Sequence, residues 1–156
     1  VTPTRYTIRR DDLSGEAILA LLQFHLDEMH QWSPPESVHA MPAERLRQPD
    51  VTFFSAWDGE ALAGCGAIKH LDAGHGELKS MRVAPAYRRQ GAGRALLLHL
   101  LEEAKARGYT RVSLETGRPE AFVPAHNLYL SHGFVECPPF ADYVADDFSM
   151  CMTREL

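Results

Sequence analysis

The 156 residues contain no apolar run that approaches the ~18 needed to span a bilayer as a helix, so a helical membrane protein is not expected. The N-terminal stretch as given shows no secretory apolar region. Cysteine is scarce: Cys65, Cys137 and Cys151 are odd in number and widely spaced, which argues against a disulfide scaffold. With no secretory signal, the expectation is a cytoplasmic protein. Surplus positive charge is also missing. The net charge of -5 excludes a general nucleic-acid binder, which would be basic. The pairs His25/His30, His70/His75 and His126/His132 do not have metal-ligand spacing, and no Cys/His cluster occurs, so no metal is expected. There is no internal repeat and no low-complexity segment. A length of 156 residues fits one domain with a core of useful size, here 1–156.

What is present alternates between two periods. YTIRR, residues 6–10, reads as a strand. After a helix start at Asp12 or Ser14, Ile18, Leu21, Leu22, Leu26 and Met29 fall on one helical face. Four prolines make residues 31–49 a loop, with a short helix expected from Pro42 through residues 43–48. VTFFSAW and ALAGCGAIKHL flank Asp58-Gly59 as a hairpin. GELKSMRV continues the sheet until Pro85, which cannot donate to a ladder. A helix from about Gly91 closes at Gly108, a strand covers residues 110–116, and a short helix ends at Gly133. FVEC and the alternating FSMCMTREL complete the strands, the latter half-buried. This order indicates an α/β (α+β) fold with a mixed sheet.

One stretch breaks the ordinary mixing of charges. No acidic residue lies between Glu77 and Glu102, whereas Lys79, Arg82, Arg88, Arg89 and Arg94 all do. Arginines at a helix start oppose the helix dipole and cost stability unless a negative ligand answers them. Gly91 and Gly93 remove side chains that would block first-turn amides, which lack intrahelical partners. These residues describe a seat for an anion of diphosphate size; the alternative is a tight strand-to-helix turn with solvated arginines. The nucleoside-triphosphate loop Gly-x4-Gly-Lys-Ser/Thr is absent, and Leu96 stands where the dinucleotide fingerprint needs a third glycine.

Arg88-x-x-Gly91-x-Gly93 resembles motif A of the GNAT superfamily of acetyl-CoA-dependent N-acetyltransferases. Ala125-x-x-Leu128-Tyr129 with Gly133-Phe134 resembles its motif B. The two together, in order, are far more specific than a lone Gly-x-Gly. The resemblance covers the chain from about residue 50 onward and, more loosely, its start. It implies a central mixed, mostly antiparallel sheet of about seven strands, splayed between the fourth and fifth and flanked by about four helices. It also implies acetyl-CoA as co-substrate. Pantetheine would pair with the main chain of Met81, Arg82 and Val83. Arg88, Arg89, Gln90, Gly91, Ala92, Gly93 and Arg94 would cradle the pyrophosphate. Asn127 is a further cofactor candidate. Where the family often has asparagine ahead of motif B, this chain has Phe122, a residue suited to packing.

The implied reaction is transfer of an acetyl group to a primary amine of a small molecule or peptide, by direct attack in a ternary complex. An amine with a pKa near ~10.4 is about three units from neutral pH, so its deprotonation costs roughly 4 kcal/mol. A base therefore helps. Glu77, eleven residues before Arg88, resembles the place of the catalytic glutamate in the histone-acetylating branch of the family; pairing with Lys79 or a nearby histidine is the structural alternative. Tyr129, the motif B tyrosine, is the candidate acid for the leaving thiolate, and also a cofactor contact. Substrate candidates are His30, Trp32, Ser33, Ser37, His39 and Met41, then Glu115 and Thr116, and Phe140 and Tyr143 from the late loop. A CoA-binding sensor or interaction module with little catalysis is the alternative function. The resemblance also allows a homodimer. No nucleic-acid or membrane partner is expected.

Overall fold

The computed structural model describes residues 5–32, 46–118, 122–141, 143 and 148–156. Seven strands form one sheet: β1 (Thr7–Arg10), β2 (Val51–Asp58), β3 (Ala61–Asp72), β4 (His75–Val83), β5 (Arg111–Gly117), β6 (Val135–Cys137) and β7 (Ser149–Glu155). Their spatial order is β1-β2-β3-β4-β5-β7-β6. β4 and β5 are parallel, and every other neighbouring pair is antiparallel. Three α-helices occur among the described residues: α1 (Glu16–Trp32), α2 (Ala92–Ala106) and α3 (Val123–Ser131). The short helix expected near residues 42–48 lies largely outside the described residues.

Alternation along the strands sends side chains to two cores. On one face Phe53, Cys65 and Ala67 pack under Leu13, Ile18, Leu21 and Leu22 of α1 and the residues before it. On the other, Ile68, Leu78, Leu114 and Met152 meet Leu97, Leu100 and Leu101 of α2, with Tyr129 and Phe134 completing the cluster. Burying each such leucine contributes roughly 1.5–3 kcal/mol. β7 runs between β5 and β6, so Cys151 and Met152 are both buried, more than the half-burial its alternation predicts.

Three turns follow local sequence. Gly59 (φ 61°) turns the β2–β3 hairpin, and Gly108 (φ 82°) and Gly133 (φ 88°) follow α2 and α3 in the left-handed region that favours glycine. The start of α1 differs from expectation. Asp12 Oδ1 accepts from the Ser14 N–H at 3.1 Å, a local turn, and the first helical bond runs from Leu19 N–H to the Gly15 carbonyl at 3.2 Å. The cap position is therefore Gly15. The aspartate had a nearer amide to satisfy than those of the helix.

The feature that matters for function is a break between the two parallel strands. β4 and β5 pair only over His75–Leu78 and Arg111–Leu114. Beyond that point β4 stays on β3 as far as Val83 opposite Gly64, while β5 stays on β7 as far as Gly117 opposite Ser149. The strands splay, and residues 79–83 face a gap instead of a ladder. A bulge lies at the fork: the register shifts between Cys65 and Ala67, and Ser80 takes a left-handed conformation (φ 55°). Bulges bend a strand and end pairing.

Candidate active site

The gap is built from β4 outward. Ala84 N–H donates to the Ala63 carbonyl at 2.8 Å, and Arg82 lies opposite Cys65. Main-chain groups of an antiparallel strand alternate in direction, so Val83 and Met81 turn theirs away from β3, toward the gap. Arg82, between them, turns its main chain to β3. Of the three β4 residues singled out in the sequence, two therefore offer free-facing main chain and the third offers only its side chain.

Pro85–Tyr87 form one 3-10 turn after β4, and the chain then enters α2 through two left-handed residues, Arg89 (φ 63°) and Gly91 (φ 87°). Gly91 is the N-cap of α2 and has no side-chain cap; the first turn holds no acid. Its position is open, for a Cβ there would meet nothing within 4 Å. An uncapped helix N-terminus facing open space suits an anion. Gly93 has another reason to be glycine. A Cβ there would lie 3.3 Å from Val83 Cγ2 and 3.4 Å from Leu128 Cδ2, so α2, β4 and α3 converge on it.

The loop is braced from elsewhere in the chain. The Tyr6 hydroxyl donates to the Gln90 carbonyl at 2.8 Å, and Arg5 donates to Gln90 Oε1 at 2.7 Å and to Asp58 at 2.9 Å. Tyr87 donates to the same Asp58 at 3.0 Å. Asp58 is held below its usual range, chiefly by Arg5, and the Tyr87 phenol is pushed up, chiefly by its bond to Asp58. Gln90 thus spends its carbonyl and side chain on holding the loop. No local pattern announces this bracing, because its partners lie far away along the chain.

The two catalytic candidates sit on opposite faces of the sheet. Tyr129, on α3, is 6% exposed in the α2-side cluster with Phe134 edge-on at 5.7 Å. Its hydroxyl makes no hydrogen bond among the described residues, and burial, with Glu115 nearby, pushes its phenol well up. Glu77 is opposite Lys69 in β3 and Ser113 in β5, on the α1 side, and is 2% exposed. Its Oε2 accepts from Lys79 Nζ at 3.0 Å and from the Tyr143 hydroxyl at 2.5 Å. Lys79 also donates to the Tyr143 oxygen at 2.8 Å. The Tyr143 phenol is strongly raised by burial and then by Glu77. Both Lys79 and the late-loop Tyr143 thus engage this carboxylate.

Of the other sequence candidates, Glu115 and Thr116 lie on the end of β5 that has parted from β4 but stays on β7, and, by alternation, they point to opposite faces. Asn127 and His30 are exposed, and Trp32 is the last residue of α1. Ser33, Ser37, His39 and Met41 lie outside the described residues. Arg94 is exposed on the first turn of α2, and Ala92 is buried beneath it. Phe122 packs against Gly117, where an added Cβ would come within 2.4 Å of its ring. His126 Nε2 bonds the Gly117 carbonyl at 2.5 Å and ties α3 to β5.

Phe24, His25 and Glu28 of α1 were not anticipated as part of the site. Arg82 reaches Glu28 in an ion pair, and Arg88 lies 3.5 Å from the same carboxylate. The Arg82 guanidinium stacks 5.3 Å from the Phe24 ring. His25 is buried beside them, and burial and then Arg82 lower its pKa to about 4. The available signal was polar residues at core spacing: His25 and Glu28 continue the stripe of Ile18, Leu21 and Leu22.

The fold has counterparts among known proteins. The sequence model of the Acetyltransferase (GNAT) family matches residues 18–134. The chain belongs to the GNAT acetyltransferase family. It is 52% identical over 149 residues to the uncharacterized N-acetyltransferase YsnE of Bacillus subtilis, covering 96% of this chain and 99% of that one. Among solved structures, a Klebsiella pneumoniae protein described as a putative acyl-CoA N-acyltransferase superposes with a TM-score of 0.77 at 28% identity, over 97% of both chains. A GNAT family acetyltransferase from Elizabethkingia anophelis, solved with acetyl-CoA bound, has a TM-score of 0.71 at 18% identity, over 99% of this chain and 100% of that one. This GNAT chain is accordingly an acyltransferase with the family's mixed seven-stranded sheet. No described helix is long and apolar enough to cross a membrane, and no group of three or more potential metal ligands occurs among the described residues.

Proposed function

We propose that this GNAT enzyme transfers the acetyl group of acetyl-CoA to a primary amine of a small molecule or peptide, by direct attack while both are bound. The observation that carries the reading is the parting of β4 and β5 beside an uncapped α2 N-terminus. Acetyl-CoA supplies an activated thioester when bound. The amides at Gly91, Ala92 and Gly93 are suited to its diphosphate, with Arg88, Arg89 and Arg94 adding positive charge. Main-chain groups of Met81 and Val83 are suited to the amides of its pantetheine arm. Arg82 drops out of the main-chain set, and Gln90 acts by shaping the loop. Asn127, exposed on α3, is a peripheral contact at most.

The protein's own residues then handle two protons. Tyr129, kept protonated by burial, is the donor to the departing sulfur. Glu77 is the acceptor of the amine proton. Because it is buried and already bonded to Lys79 and Tyr143, a water relays that proton. Placing donor and acceptor on opposite sheet faces lets each act on its own side of the gap. Glu115 and Thr116 at the open end of β5, with His30 and Trp32 at the end of α1, are proposed to line the acceptor side or its entrance.

The test is acetyl-CoA incubated with a panel of amines, amino acids and peptides, read by thiol release and product mass. Acetylated amine supports the enzyme. Tight acetyl-CoA binding with no product from any amine would instead favour the CoA-binding sensor.

A further inference from the structure

Phe140 and Tyr143 belong to one turn after β6. The Tyr143 N–H donates to the Phe140 carbonyl at 3.0 Å, and their rings lie 5.1 Å apart. The turn rests on the α1 face of the sheet, but not on the part that α1 covers. α1 packs on β2 and β3, through Phe53, Cys65 and Ala67. On the same face of β4, β5 and β7 stand polar side chains. His75 Nε2 bonds Ser113 Oγ at 2.6 Å, and Ser113 Oγ bonds Thr153 Oγ1 at 2.9 Å. Phe140 lies 5.8 Å from the His75 ring, and Tyr143 reaches Glu77 and Lys79.

Glu77, Lys79 and Tyr143 close a ring of three hydrogen bonds, at 2.5, 2.8 and 3.0 Å. Lys79 is two residues from Glu77 on the same strand, whereas Tyr143 arrives from 66 residues away. Both donors meet one carboxylate oxygen, Oε2; no bond to Oε1 occurs among the described residues. Two donors, one of them cationic, favour the ionised carboxylate and fix its orientation. The other charged or titratable groups around Glu77 are Lys69 of β3, His75 of β4, Glu115 of β5 and Cys151 of β7. None of them is bonded to Glu77 among the described residues. α1 directs His25 and Glu28 to Arg82, further along β4.

We propose that Tyr143 is a positioning residue for the base: with Lys79 it holds Glu77 ionised through Oε2 and leaves Oε1 for the water that takes the amine proton. This rests on the reading of Glu77 as the acceptor of that proton. The water takes a proton from the amine and passes one of its own to Oε1. The carboxyl releases it to solvent after the product leaves. Tyr143 keeps its own proton throughout, because burial and then Glu77 raise its phenol. The late-loop tyrosine thus acts on the carboxylate rather than on the substrate.

The experiment measures kcat and KM from pH 5.5 to 9.5 with acetyl-CoA and the fastest acceptor of the amine panel, in the wild type, Tyr143→Phe, Glu77→Gln and the double variant. Tyr143→Phe removes one donor from a charged group. The acid limb of its kcat/KM profile should therefore move to higher pH by about one to two units. At neutral pH kcat/KM should fall by about tenfold or more, and it should approach the wild-type value at the alkaline end. KM for the acceptor and for acetyl-CoA should change by less than about twofold. Adding Tyr143→Phe to Glu77→Gln should cost almost nothing further, since the carboxylate it serves is gone. Titration calorimetry with acetyl-CoA on each variant shows that the fold is kept. Should Glu77→Gln not fold, the limb of Tyr143→Phe decides alone. An unmoved acid limb in Tyr143→Phe, a higher acceptor KM without that movement, or losses that multiply in the double variant would overturn the proposal while leaving Glu77 as the base. Full activity with an unchanged limb in Glu77→Gln, or no acetylation of any amine, would remove the base reading and this proposal with it.

Discussion

Exchanging Gly91 for asparagine or aspartate separates the charge at the head of α2 from its shape. Gly91 has φ 87° and open space around its absent Cβ, so backbone conformation, not crowding, limits what can stand there. Asparagine and aspartate are the side chains that best tolerate the left-handed region, and both cap helices well. They are nearly the same size and differ by one charge. Without ligand, aspartate gains roughly 0.3–1 kcal/mol from the helix dipole, so the Asp variant should be at least as stable as the Asn variant. With acetyl-CoA the order reverses. A unit charge about 5 Å from one phosphate charge costs roughly 1–3 kcal/mol for an effective dielectric between water and protein surface, or about fivefold to over a hundredfold in affinity. Two phosphates make at least tenfold the working expectation. Isothermal titration of both variants at low and at high salt measures it, and screening should narrow the difference at high salt. Equal affinities for acetyl-CoA, alongside unimpaired folding, would refute the argument that the α2 amides hold the diphosphate.

Three other outcomes follow from the same geometry. Tyr129→Phe should lower kcat by about tenfold to a hundredfold with little change in the KM for acetyl-CoA. It should leave Tm nearly unchanged, since the Tyr129 hydroxyl has no bond among the described residues; a large loss of stability would show a structural role instead. Removing one partner of the buried Glu77–Lys79 pair, as in Lys79→Met, should cost about 3–5 kcal/mol in urea unfolding, and adding Glu77→Gln should recover much of it. Additive losses would show that the two do not interact. His25 has a folded pKa near 4 against 6.5 when unfolded, so the unfolded chain binds the extra proton between those values. Stability should therefore fall as pH drops from about 6.5 to 4, by up to roughly 3 kcal/mol, and His25→Leu should flatten that slope. An unchanged slope in the variant would assign the titration elsewhere.

The site was legible where local chemistry dictates it. The acid-free run from Leu78 to Leu101, the glycines at 91 and 93 and the tyrosine of α3 each mark a local demand for an anion seat, a left-handed entry or a helix facing a cleft. The hairpin at Asp58-Gly59 and the stops at Gly108 and Gly133 were readable for the same reason. What the sequence hid depends on contacts across the fold. Tyr6 and Arg5 brace a loop more than eighty residues away, and no periodicity carries such a link. The bulge at Ser80 turns Arg82 to the α1 face, and an even count along the strand does not foresee it. Gly93 looked like a residue kept small for a ligand, yet Val83 and Leu128 already press on its position. Asp12 looked like a cap but bonds a nearer amide.

The most direct measurement is a crystal structure of the protein with acetyl-CoA. The diphosphate should rest on the amides of residues 91–93, and the pantetheine arm should run between β4 and β5 against the main chain of Val83. A cofactor bound elsewhere, or β4 and β5 zipped together beyond Leu78 and Leu114 with no ligand between them, would contradict it.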